Sequence, residues 1–364
     1  MKIVIFGLTV SSSWGNGHAT LWRSLIKALL RRGHTVLFFE KDVPYYASAR
    51  DLWALPAGGT LRFYEEFDNV RDEATRALRD ADLAMVTSYC PDGPLASELV
   101  LNAGRAVRAF YDMDTPVTLD CLRSASPVAY LPAEGLGAFD VVLSYTGGRA
   151  LEELQTRLGA QAVAPLYGSV DPETHFPVDP VEAFRSQLSY LGTFAEDRQR
   201  ALEALFVEPA RRTPSERFLI GGAQYPDSFP WTTNIFFTGH LEPAQHPAFF
   251  CSGRATLNVT RRAMAEYGYC PSGRLFEAAA CGTPLLSDRW EGIGDFFVPG
   301  KEILLVDTAE DVLGTLCLSD MELRDIAEAA RARALRDHTN EQRVLDLEQT
   351  LDGLRSHGLA TSQA

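Results

Sequence analysis

The first half of the chain alternates short apolar runs with stretches in which apolar residues return every three or four positions. Runs at Lys2–Leu8, His34–Glu40, Leu83–Thr87, Ala106–Asp112 and Val141–Tyr145 have the length and bounds of buried strands. Between the first two, Leu21, Leu25, Ala28 and Leu29 share one helical face over Ala19–Arg32, and Gly33-His34 stops that helix. Asn69–Arg79, Pro94–Ala103 and Gly148–Leu158 predict further helices. Strands alternating with helices specify a parallel sheet covered on both faces.

The pattern then breaks. Tyr167 to Pro177 is rich in turn formers, with Gly168, Pro172 and Pro177. A second alternating series follows: strands at Ser189–Gly192, Phe218–Gly221, Ile235–Thr238, Ala255–Val259, Pro284–Ser287 and Ile303–Val306, with a helix over Asp197–Leu205. From Glu322 to Ser356 the chain reads as helix, broken near His338-Thr339-Asn340. Thr339 or Asn340 can cap the last helix, with Arg343 and Glu348 on its solvated face. Residues 360–364 are expected to fray. The 364 residues predict two domains of roughly 100–200 residues each. The segmentation is 1–168, a linker at 169–180, 181–338, and a tail at 339–364.

Composition narrows the function classes. The net charge of −14 speaks against a nucleic-acid partner, whose phosphates need basic patches, and against an anionic membrane surface. Six cysteines without C-x-x-C spacing read as reduced thiols of a cytoplasmic protein. The apolar start at Ile3–Leu8 is too short to span a membrane and lacks a small-residue cleavage site, and no other stretch reaches spanning length.

The densest chemistry lies in Ser272-Gly273-Arg274-Leu275-Phe276-Glu277-Ala278-Ala279-Ala280-Cys281-Gly282-Thr283-Pro284. Ser272 and Gly273 leave amides free at a helix start, where the helix dipole favours an anion, and Arg274 adds a cation. Glu277 lies one turn on, on the same side, where a carboxylate can accept hydrogen bonds from ribose hydroxyls. An anion grip beside a hydroxyl grip suits a nucleoside diphosphate. The competing reading makes Glu277 a capping or solvated residue. Arg261, at the end of Asn258-Val259-Thr260-Arg261, is a second cation for phosphates, and Tyr225 sits in a strand-end loop facing the same way. No H-x-x-x-H or Cys/His cluster is present; Asp112-Met113-Asp114 superficially matches the D-x-D of a metal-dependent, single-domain transferase fold, but two Rossmann-like halves do not fit it. No metal and no cofactor are expected.

The run from Ser272 to Asp288 resembles the C-terminal donor element of the GT-B glycosyltransferases, above all the glycogen-synthase-like and CgeB-like (spore-maturation) groups. The resemblance implies an α/β fold of two Rossmann-like domains with a cleft between them, an N-terminal acceptor domain, a C-terminal nucleotide-sugar domain, and a last helix returning to the first. It implies a UDP- or dTDP-sugar donor, with Arg198 reaching the diphosphate and His240-Leu241 meeting the nucleobase, alongside Asn258. It also makes Gly17-His18, at the opening of the first helix, similar to the segment whose histidine takes the acceptor proton in inverting relatives. An aspartate after a later strand orients that histidine, and Asp112 is the choice here, with Asp114 left to cap the following helix. His18 as a plain cap or contact stays open. Trp14, Asn16, Gly17, Asp92 and Asp114 are expected on the acceptor side. One departure stands out: retaining relatives carry two glutamates with seven residues between, and counting back from Glu277 the first position holds Tyr269. The activities compatible with these residues are sugar transfer, nucleotide-sugar epimerisation and non-catalytic nucleotide-sugar binding. The acceptor stays open among a metabolite, a lipid head group, a carrier-bound intermediate and a protein.

Overall fold

The computed structural model describes residues 1–361, and residues 362–364 of the segment expected to fray lie outside it. Two compact units divide the chain, one of Met1–Tyr167 with the chain from Asn340 onward, the other of Gly168–Thr339.

Among the described residues the first unit holds seven strands: β1 (Lys2–Gly7), β2 (Thr35–Lys41), β3 (Gly59–Tyr64), β4 (Leu83–Thr87), β5 (Val107–Asp112), β6 (Val141–Ser144) and β7 (Val163–Pro165). They pair in the order β3-β2-β1-β4-β5-β6-β7, every pair parallel. Strands buried on both faces read as unbroken apolar runs, which is why β1, β4 and β6 are visible in the sequence. β3 was not expected. It is an edge strand whose residues alternate between half-buried and exposed, so no apolar run marks it. Phe6 and Phe39 stack at 4.9 Å in the core, and Phe110 meets Phe139 edge-on.

The second unit repeats the plan with β8 (Leu188–Leu191), β9 (Phe218–Gly221), β10 (Ile235–Phe237), β11 (Thr256–Asn258), β12 (Leu285–Ser287) and β13 (Leu304–Leu305), ordered β10-β9-β8-β11-β12-β13 and again parallel. Its core packs Tyr190, Phe206 and Phe218. The helix expected at Asp197–Leu205 begins at Glu196 and continues to Arg212 through a π-turn at Glu203–Val207. Pro209 explains the widening: a proline ring collides with the carbonyl four residues back in a regular α-helix.

The helix Asn340–Thr361 packs on the helix Gly17–Arg31. Asn340 Nδ2 donates to the Ser24 carbonyl at 3.1 Å, Arg31 pairs with Glu341 at 3.0 Å, and Glu348 accepts from both Arg32 (2.6 Å) and His34 (2.8 Å). Arg343 and Glu348 are therefore not the solvated pair expected from spacing. Arg343 is buried over the Tyr167 ring and bonded to Asp346, and Glu348 is an inter-helix clamp. Charge pattern along one helix cannot show which face a distant segment will cover.

Phe6→Ala should cost the first unit about 3–5 kcal/mol, since it removes a fully buried ring. Urea unfolding followed by fluorescence checks this through the first unit's transition.

Candidate functional site

In open parallel sheets, ligands sit beyond the carboxyl ends of strands where the strand order reverses. The reversals fall between β1 and β4 in the first unit and between β8 and β11 in the second.

In the first unit the loop after β1 is tied down from beneath. The buried Glu40 carboxylate at the end of β2 accepts from the Thr9 hydroxyl (2.6 Å), the Val10 and Ser11 amides (2.8 and 3.1 Å) and the Ser11 hydroxyl. Asp51 accepts from the Ser13 amide at 3.1 Å and pairs with Arg23. Burial would raise the Asp51 carboxyl, but Arg23 and Ser13 outweigh it and hold it below the usual range. Neither Glu40 nor Asp51 was singled out in the sequence; an acidic residue at the end of β2 was the available signal for Glu40. Asn16, expected on the acceptor side, caps the helix instead: its Oδ1 accepts from the His18 amide at 3.0 Å. Gly17 opens the helix with no atom within 4 Å of where a Cβ would be, and Trp14 is partly exposed on the loop.

His18 points out of the first helical turn with Nε2 3.1 Å from Asp114 Oδ2. This corrects the expected pairing with Asp112. Asp112 is the last residue of β5, fully buried, and its Oδ1 accepts from the Asp114 amide at 3.1 Å. It shapes the turn, while Asp114, already beyond the sheet, reaches the histidine. Asp114 precedes the helix Thr115–Arg123 but makes no side-chain capping bond, so its carboxylate is available to His18. Burial pushes the Asp112 carboxyl up to about 6, against the opposing hydrogen bond from the Asp114 amide. The Tyr89 ring lies 5.6 Å from the His18 ring, and Tyr89 holds φ +60°, an uncommon backbone state of the kind found at ligand sites. Asp92 pairs with Lys41 at 3.2 Å. His18, Asp114 and Tyr89 are thus brought together above Asp112.

In the second unit the loops after β8, β9 and β11 converge. A Cβ on Gly222 would lie 2.0 Å from the Gly192 carbonyl, so only glycine lets these two loops lie side by side. Arg198 donates to the Tyr190 hydroxyl at 2.9 Å, and the Tyr225 hydroxyl donates to the Gly192 carbonyl at 3.0 Å. Arg261 pairs with Asp197, next to Arg198, at 3.1 Å. Tyr225 belongs to an aromatic group with Phe229, Trp231 and Phe237. His240 and Leu241 follow β10; the Leu241 side chain is buried near Gly221. Asn258 spends its side-chain amide on Ser287 (3.0 Å) and Thr260 (3.3 Å), tying β11 to β12. Asp288, not singled out in the sequence, accepts from the Thr260 amide and hydroxyl, both at 2.9 Å.

Ser272 caps the helix Gly273–Ala280, accepting from the Arg274 amide at 3.3 Å. Arg274 then turns back onto Glu277, one turn along and buried. Glu277 is therefore neither a cap nor a solvated residue. Two histidines that the sequence did not mark stand around it, with His246 Nδ1 at 3.4 Å and His175 Nε2 at 3.8 Å from Glu277 Oε2. Burial alone would raise the Glu277 carboxyl, but Arg274 and the imidazoles hold it well below the usual range. Burial, with Arg274 adding to it, depresses both histidines, His175 to about 4. One donor atom from each of His175, His246 and Glu277 falls within 4.8 Å of the others. The positive charge at that cluster is supplied by the Arg274 guanidinium, which also lies 3.5 Å from His246 Nδ1.

A family profile described as "Glycosyl transferase-like" matches residues 198–349. The whole chain is similar to solved structures of glycosyltransferases. Sucrose-phosphate synthase from Thermosynechococcus elongatus matches with TM-score 0.71 at 14% identity, over 98% of this chain and 99% of that one. The chain has the GT-B glycosyltransferase fold. An alpha-glucosyltransferase in complex with UDP-glucose and DNA matches this GT-B chain with TM-score 0.69 at 12% identity, covering 97% of this chain and 99% of that one. HepE from Anabaena, in complex with UDP and glucose, matches with TM-score 0.66 at 12% identity, covering 97% and 100%. No curated protein matches the chain by sequence.

A testable consequence attaches to Asp112 of this GT-B chain. Its carboxyl is raised from 3.8 to about 6 on folding, so the ionised form opposes folding. The penalty is absent at low pH, grows as pH rises between those two values, and is complete above the upper one. Asp112→Asn should leave stability unchanged at acid pH, and above neutrality raise it by on the order of 2–3 kcal/mol. Thermal melts of both proteins across that range provide the check.

Proposed function

We propose that the protein is a glycosyltransferase that moves a hexose from a UDP- or dTDP-sugar to an acceptor hydroxyl, in the manner of the CgeB-like group, without a metal and in the cytoplasm. The observation that carries the reading is the Ser272-capped helix whose first turn offers the Gly273 amide and Arg274, with the Glu277 carboxylate one turn on. That element lies inside the stretch matched by the transferase profile. The Gly273 amide and Arg274 would face the diphosphate and Glu277 the ribose. Arg198 and Arg261, at the loops after β8 and β11, add the charge that a metal would otherwise bring to the leaving diphosphate. Two of the similar structures hold UDP or UDP-glucose, which favours uridine nucleotides as first probes. One of those also holds DNA; here the net charge of −14 argues against a nucleic-acid acceptor.

On the acceptor side, His18 is the proposed general base. With Nε2–H donated to Asp114, Nδ1 is the ring nitrogen left to take the hydroxyl proton, and Asp114 stabilises the imidazolium that forms. Asp112 acts on the turn that holds Asp114.

Two measurements test the reading. Glu277→Ala should weaken UDP or dTDP binding by about 1.5–3 kcal/mol in calorimetry, the range for a lost hydrogen bond to a charged group; unchanged affinity would assign Glu277 to structure alone. Once a sugar acceptor is found by screening, His18→Ala should lower kcat about 10²–10⁴-fold with nucleotide affinity retained, and Asp114→Asn should do so more mildly. Loss of less than about tenfold would leave His18 as a contact residue.

A further inference from the structure

Four charged or titratable side chains meet beneath the proposed nucleotide site, and only one of them reaches solvent. Arg274 is 31% exposed at its side chain, against 4% for Glu277 and 3% each for His175 and His246. The guanidinium alone has room to swing onto a diphosphate, while Glu277 stays in place to meet the ribose. If it does, the Glu277 carboxylate is left buried without a cation, a state that proteins avoid. The groups that remain beside it are the two imidazoles. His175 is the more telling of them: its ring is buried, yet neither Nδ1 nor Nε2 has a hydrogen-bond partner. A buried polar ring with both nitrogens unmet calls for an explanation. Its backbone is not free to wander. The His175 amide donates to the Asp171 carbonyl at 2.9 Å, and Asp171 is itself held by the Glu173 amide and the Thr174 hydroxyl.

We propose that His175 and His246 are the proton-accepting half of a charge exchange: when a nucleoside diphosphate draws Arg274 off Glu277, one imidazole binds a proton from solvent and replaces the guanidinium beside the carboxylate. This rests on the donor-site reading above. The step forms one N–H bond on a ring nitrogen and breaks the bond that held that proton in hydronium or a buffer acid, leaving water or the buffer base, while the guanidinium separates from the carboxylate. The sign follows from the surroundings. Burial and the Arg274 charge both keep the rings neutral in the free protein, while Glu277 favours their protonated form. Removing Arg274 deletes one opposing influence and leaves the carboxylate's pull unshared. The other groups facing the cluster are Asp171 from the turn that holds His175, Cys281 at the end of the helix Gly273–Ala280 with Cys251 bonded to it from the helix of His246, and Arg331 from the helix Asp320–Asp337, bonded to the Ala280 carbonyl. The two histidines are thus positioning residues that make nucleotide affinity depend on pH.

Calorimetric titration of UDP into the full chain, at one pH near 5 (just above the free-protein value of about 4 for His175) in buffers of different ionisation enthalpy, reads the exchange directly. The wild type should take up more protons per UDP, up to about one, than the His175→Gln/His246→Gln double variant, in which the nucleotide's own ionisation is common and cancels. Equal buffer dependence in the two proteins overturns the proposal. A nucleotide-free arm separates it from the donor-site reading. In Arg274→Gln, NMR titration of the histidine ring protons should show the His175 midpoint rising above its wild-type value of about 4. An unmoved midpoint overturns the exchange even if UDP binds. Failure of UDP to bind the wild type, with the midpoint raised as expected, sinks the donor-site reading and leaves the exchange standing as a property of the cluster.

Discussion

Every strand in both sheets runs in the same direction as its neighbours, and the chemistry of the chain hangs on that constraint. Parallel pairing sends each carboxyl end to one edge, so the loops that follow must gather there. Reversal of strand order opens a gap in which no crossover helix covers them. His18, in the first turn of the helix after β1, and Asp114, in the turn after β5, are separated in sequence yet 3.1 Å apart. Arg198, Arg261 and Arg274 follow β8 and β11 in the same way. An antiparallel sheet with the same strands would scatter these groups over two edges.

Buried carboxylates set the remaining geometry, and the fold treats three of them differently. Glu40 is surrounded by four donors and acts as a fastener for the loop above it. Asp112 has an amide to one oxygen and no partner for the other, so burial prevails and its proton is held more tightly. Glu277 has a guanidinium against it and keeps its charge despite burial. Desolvation is common to all three. The partners decide whether the result is a fastener, a held proton or a held charge.

What is legible in the sequence follows from how local the signal is. β1 and β4 announce themselves because both their faces are covered; β3 and β7 lie at or near sheet edges and carry no apolar run. Ser272, Arg274 and Glu277 are readable because capping and one-turn spacing are properties of a single helix. The partner of His18 is not, since choosing between Asp112 and Asp114 needs the path of a turn, and the two carboxylates differ in where the strand ends. His175 and His246 are silent for a stronger reason. They reach Glu277 from separate stretches, one in a turn and one in a short helix, and only the assembled unit brings their rings to it.

The helix Asn340–Thr361 carries a consequence for the order of events during folding. It belongs to the first unit, yet along the sequence the whole second unit comes between it and the helix Gly17–Arg31 that it covers. The ion pair of Arg32 with Glu348 closes a loop of 316 positions, and loop-closure entropy rises with such separations. On a ribosome, the first sheet emerges early with one flank of that helix still wet, and waits for the entire second sheet before it is sealed. The final closure therefore joins segments made before and after the second unit, and the first unit is sealed only once the second has been made.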